Sequence, residues 1–132
     1  MNINCNGNLI DLSIPKVMGI LNVTPNSFYD GGKHREINSI IHQVDKMLSE
    51  GADFIDIGAY SSKPSAEFVT ETDEINRLVH VIKELVNTFP NIILSVDTFR
   101  SEVARVAVDN GVAIVNDISA GLLDKNMLET VA

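Results

Sequence analysis

"ILSVDTFRSEVARVAVDNGVAIVNDISAG", residues 93–121, carries the pattern that decides the fold. It opens inside an apolar run, Ile92–Val96, that does not alternate with polar residues, the mark of a parallel strand covered on both faces. Val103, Val106 and Ala107 then recur at helical spacing, and Gly111 is placed as a stop. A second apolar run, Ala113–Val115, follows at once and ends on Asn116 and Asp117. Strand, helix and strand again, with polar groups at each strand's end, make one βαβ unit.

The same joint occurs earlier. "EGADFIDIG" (residues 50–58) and "NGVAIVNDI" (residues 110–118) both run from a helix end through Gly into a strand. Two more apolar runs, Val17–Leu21 and Phe54–Gly58, predict strands, and Leu9–Ile14 predicts a short extra one. Ile37, Ile40, Ile41, Val44, Met47 and Leu48 share one helical face that Gly51 closes. Ile75, Leu78, Val79, Ile82, Leu85, Val86 and Phe89 form a second stripe, ended by Pro90. A last helix is expected to start at Asp124 as N-cap, with Met127, Leu128 and Val131 facing inward. The alternation is that of an α/β chain with a parallel sheet.

Every strand finishes on polar residues: Asn22, Asp56, Asp97, then Asn116 with Asp117. Each alone reads equally well as a cap or turn residue. Four together, at the same end of four adjacent strands, mark the rim where parallel α/β folds hold ligands. Barrel and open sheet are not separated by this pattern. A βα barrel needs eight units and roughly 250 residues, whereas about four are counted here, and no glycine-rich phosphate loop follows the first strand.

The 132 residues, 45% hydrophobic and 21% charged, predict one globular unit over 1–132 without an internal boundary. A net charge of −8 argues against nucleic acid as a partner, since phosphate backbones need a basic face. It leaves room for a small anion held by a metal ion, backbone amides or one cation. No stretch is apolar for long enough to span a membrane, and the N-terminus does not read as a secretory signal. The one cysteine, Cys5, is expected to be a partly exposed thiol and fits a reducing cytoplasm.

Three blocks together resemble one family. "MGILNVTPNSFYDGG" (18–32), "GADFIDIGAYSSKPSA" (51–66) and the stretch quoted at the start are similar, in order and spacing, to the signatures of dihydropteroate synthase. The likeness runs from about Pro15 to Ala132. It implies a (β/α)8 TIM barrel, of which the first four βα units are present. A half barrel of this kind is expected to be a truncated or fragment chain, inactive alone, from a parent that forms a homodimer. The family joins p-aminobenzoate to 6-hydroxymethyl-7,8-dihydropterin diphosphate and releases diphosphate, using Mg²⁺.

Carried over by position, the resemblance makes Asn22 a metal ligand and Asp30 the acid of a loop that closes over the reacting centre. Phe28 falls in the p-aminobenzoate pocket. Ser62, Lys63 and Pro64 stand where the family has Thr-Arg-Pro, so Lys63 keeps a charge toward phosphate without the planar fork of arginine. Asp97 and Asn116 match the residues that read the amino-pyrimidine edge, with Asp56 on the same wall. Asp117 reads as a structural cap and Thr98 as the start of the next helix. Asn26 replaces an aspartate, and Ala59-Tyr60 replace Gly-Glu. His34, His42 and His80 have no ligand spacing and are given no chemistry. The competing readings are a pterin-dependent methyltransferase, which has no use for the 18–32 motif, and a non-catalytic pterin-binding fragment or paralogue.

Overall fold

The structure, a computed structural model, describes residues 1–23, 32–59 and 70–132. A β-hairpin comes first: β1 (Asn2–Cys5) pairs antiparallel with β2 (Asn8–Asp11) across a tight turn at Asn6 and Gly7. The single strand expected at Leu9–Ile14 is therefore the second arm of a hairpin. Asn6 Nδ2 donates to the carbonyl of Gly111 at 3.1 Å, which ties the hairpin to the rest of the fold. Cys5 is buried, not partly exposed, and burial pushes its thiol pKa up.

The main sheet has four parallel strands in sequential order: β3 (Met18–Asn22), β4 (Phe54–Gly58), β5 (Leu94–Asp97) and β6 (Ile114–Asn116). The helices between and after them are α1 (Gly32–Ser49), α2 (Glu71–Thr88), α3 (Ser101–Asp109) and α4 (Met127–Val131). Sequential parallel strands linked by helices are the arrangement of the first half of a (β/α)8 barrel. No helix among the described residues is long and apolar enough to cross a membrane.

Burial of one sheet face drives the packing. Leu21, Ile55, Ile57, Leu94 and Val96 share one cluster with Ile40 and Val44 of α1, Leu78, Ile82 and Leu85 of α2, and Val103 and Ala107 of α3. Gly19 lies on the same face, where a Cβ would come within 2.7 Å of Met47 Sδ, so its bare backbone lets α1 sit close. The repeated joints are built alike. Ala52 N bonds Met47 O and Val112 N bonds Ala107 O, while Gly51 and Gly111 take φ of +107° and +113°, the left-handed helix ending that glycine adopts without strain.

Two helix readings shift. The buried face of α2 consists of Glu74, Leu78, Val81, Ile82 and Leu85, so it is rotated from the expected stripe toward Glu74 and Val81. The N-cap of α4 is Asn126, two residues beyond the expected Asp124. The Asp124 carboxylate serves two ends at once: Oδ1 accepts locally from the backbone N–H of Asn126 at 3.0 Å, and Oδ2 accepts from the backbone N–H of Ser101 at 2.7 Å, capping α3 from a distance.

Candidate functional site

Strand register puts the polar ends in one row. Asn22 pairs with Gly58, Gly58 with Asp97, and Asp97 with Asn116. Paired positions in a parallel sheet point to the same side, and alternation turns that side away from the helix-covered core. Asn22, Asp97 and Asn116 therefore project together from the carboxyl rim of the face opposite the helices. Gly58 leaves a gap in the row: a Cβ there would stand 3.6 Å from Asp97 Oδ2, occupying space beside that carboxylate.

One layer deeper, Asp56 pairs with Ser95 on the same face. Both are buried. Asn116 Nδ2 donates to Asp56 Oδ2 at 3.0 Å, which uses one of the amide's two N–H donors and leaves its oxygen as an acceptor. Asp56 Oδ1 and Ser95 Oγ are buried without a hydrogen-bond partner among the described residues. Buried polar atoms left this way are costly, and they concentrate where a ligand or ordered water completes the bonding.

Charge is also concentrated here. The pKa of Asp97 is raised by burial first, then by the negative charges of Asp56 and Asp117. Asp117 has a different job. Its carboxylate accepts from Ser119 N, Ser119 Oγ and Gly121 N, which fixes the turn after β6. Burial raises its pKa, but those hydrogen bonds outweigh it, so the net shift is downward.

Thr98 is more than the start of a helix. It is buried, and its hydroxyl donates to Glu74 Oε1 at 3.0 Å; Glu74, fully buried, also accepts from Arg100 Nη1 at 3.0 Å. Composition and apolar counting pass over this pair. The signal available was a glutamate at the head of an i, i+4, i+7 series with Leu78 and Val81.

The rim thus brings together Asn22, Asp56, Asp97 and Asn116. Phe28, Asp30, Ser62, Lys63 and Pro64 lie outside the described residues, as do Asn26 and Tyr60. His42 and His80 are exposed on helix surfaces away from the strand ends. Among the described residues no cluster of three or more His, Cys, Asp or Glu could hold a metal ion. Asn22, exposed at the end of β3, offers a single amide oxygen; that suits a hard cation such as Mg²⁺, which keeps most of its waters.

These features define a protein of the parallel α/β barrel class with a candidate ligand site at the carboxyl rim. A family model described as pterin binding enzyme matches residues 18–132, most of the chain, and the chain belongs to that family. A mitochondrial folate synthesis bifunctional protein of Arabidopsis thaliana is 52% identical over 119 residues, covering 88% of this chain and 21% of that protein. A dihydropteroate synthase of Streptococcus pyogenes serotype M1 is 44% identical over 116 residues, covering 88% of this chain and 43% of the other. The structure of Xanthomonas albilineans dihydropteroate synthase with 4-aminobenzoic acid superposes with a TM-score of 0.85 at 40% identity, over 98% of this chain and 48% of that one. The Burkholderia cenocepacia enzyme complexed with 7,8-dihydropteroate gives 0.80 at 29% identity, over 98% and 42%. The chain spans less than half the length of each of these proteins.

Proposed function

We propose that residues 1–132 supply the N-terminal, pterin-binding half of a dihydropteroate synthase barrel. The observation that carries this reading is the register row: Asn22, Asp97 and Asn116 on one face, with Asp56 bonded beneath Asn116. The Asp97 carboxylate accepts two parallel N–H donors from the amino-pyrimidine edge of a pterin. The Asn116 oxygen, oriented by Asp56, accepts a neighbouring donor. A flat ring lying over the gap at Gly58 reaches both.

The reaction is a substitution at the pterin methylene carbon. The amine nitrogen of p-aminobenzoate forms the new C–N bond with its lone pair, the C–O bond to diphosphate breaks with its electrons leaving on diphosphate, and the nitrogen loses a proton. Asn22 would hold Mg²⁺ by its amide oxygen, and that ion supplies charge neutralisation on the departing oxygens. Asp30 and Lys63, from the segments after β3 and β4, are the residues we assign to the pterin cation and to phosphate. The resemblance of the 18–32 motif to the synthase signature favours this reading over a methyltransferase.

Calorimetry on the whole protein with a pterin, with and without Mg²⁺ and diphosphate, tests it. Pterin affinity that rises when both are added is expected. Binding indifferent to both would sink the synthase reading, and absence of pterin binding would sink the site.

A further inference from the structure

Glu74 is a charged side chain with no exposed surface, on a helix face that otherwise carries Leu78, Val81, Ile82 and Leu85. Its two oxygens are used separately. Oε1 accepts from the Thr98 hydroxyl and Oε2 from Arg100 Nη1, each at 3.0 Å. The same hydroxyl accepts the backbone N–H of Arg100 at 3.2 Å, and the Arg100 guanidinium stacks over the Phe99 ring, 5.2 Å from its centre. Thr98 also reaches the other way: its backbone N–H donates to the carbonyl of Asn116 at 3.1 Å.

Thr98 therefore follows Asp97 in the chain and is bonded to Asn116 across the sheet. It ties together the two residues that read the pterin edge. A buried ion pair recovers little more than its desolvation cost, so stability alone does not account for a carboxylate in this stripe. What the pair does is hold Thr98, whose backbone bond to Asn116 is the rung next to the Asp97–Asn116 pair.

We propose that Glu74 is a positioning residue: through the Thr98 hydroxyl it holds the β5–α3 turn so that Asp97 and Asn116 meet a pterin together. The inference rests on the pterin-binding reading of the rim. Methionine at position 74 keeps the length of glutamate and removes both acceptor oxygens, so it breaks the link to the hydroxyl together with the link to Arg100. Valine at position 98 keeps the shape of threonine and removes the hydroxyl, which breaks the link from the other side.

The experiment is pterin calorimetry on the whole protein at a temperature well below unfolding, with melting followed in parallel. Glu74→Met and Thr98→Val should each weaken pterin binding about tenfold. Thr98→Ser should stay within about twofold of the unaltered protein. The double variant Glu74→Met/Thr98→Val should be no weaker than the worse single one, because Glu74→Met already removes the link that Thr98→Val cuts. Should Glu74→Met fail to fold, Thr98→Val against Thr98→Ser decides alone. A lowered melting temperature with unchanged pterin affinity would make the pair merely structural and overturn the proposal, as would fully additive losses. If the unaltered protein binds no pterin, the rim reading falls and takes this inference with it.

Discussion

The two faces of the parallel sheet differ in what they carry. Toward the helices, Leu21, Ile55, Ile57, Leu94 and Val96 are apolar and inaccessible. The other face is mixed: Met18, Ile20, Phe54 and Ile114 lie below, and Asn22, Asp56, Ser95, Asp97 and Asn116 gather toward the carboxyl rim. Strand alternation makes this division possible, because a change on one face leaves the other's packing in place. The helical face pays for folding. On the rim face, burial first and the neighbouring Asp56 and Asp117 charges next raise the pKa of Asp97, which works against stability at neutral pH.

The sharpest way to break this contrast is to cross the faces. Ile57 is fully buried between sheet and helices, and Ile57→Ala should cost about 2–5 kcal/mol in denaturant unfolding of the whole protein. Pterin affinity of the folded fraction should barely change. Asp97→Ala should do the reverse, weakening pterin binding on the order of a hundredfold through loss of two charge-assisted hydrogen bonds, with stability kept. If Ile57→Ala costs binding, or Asp97→Ala costs folding, the faces are not separable as described.

Asp97→Asn refines the point through pH. A carboxyl whose native pKa lies above its ordinary value binds more protons folded than unfolded, so its contribution to stability falls as pH rises through that interval. Replacing it with a neutral amide should therefore raise the melting temperature at neutral pH. The gain should shrink as pH falls through the native value and disappear below the ordinary value of 3.8, where both states are protonated. Thermal melts of the two proteins across pH 3–8 check it; a constant difference would mean that the charge is not the cause.

Legibility in the sequence divides along the same line. The strand at Phe54–Gly58 is read to the residue, and the other three shift by one or two positions, because unalternated apolar runs and glycine joints are local signals. The rim row is legible as residue types, since each strand's last polar group is visible in the chain. Its register and the Asn116–Asp56 bond are not, as they join positions 60 residues apart. Glu74 was missed because hydrophobic counting treats a charged residue as outward, and only the contact with Thr98 and Arg100 shows why it faces in. The local bond of Asp124 to Asn126 is legible in propensity, but its second bond, which caps α3 across 23 positions, is not.

The smallest expected effect lies in the segment that follows β4. Lys63 stands in the segment that joins β4 to α2, where the resembling family carries arginine. An ammonium gives phosphate a point charge, whereas a guanidinium adds two parallel donors in a fixed plane. Lys63→Arg should accordingly leave kcat/KM for the pterin diphosphate within about threefold of the unaltered protein, and above it if the fork engages. The proposed site predicts this tolerance: with the heterocycle oriented by Asp97 and Asn116 on the sheet, a change in the cation assigned to its diphosphate tail would adjust strength without relocating the ring. A loss beyond about tenfold would show that the ring's placement depends on that segment too, and the rim would then be only part of what orients the substrate.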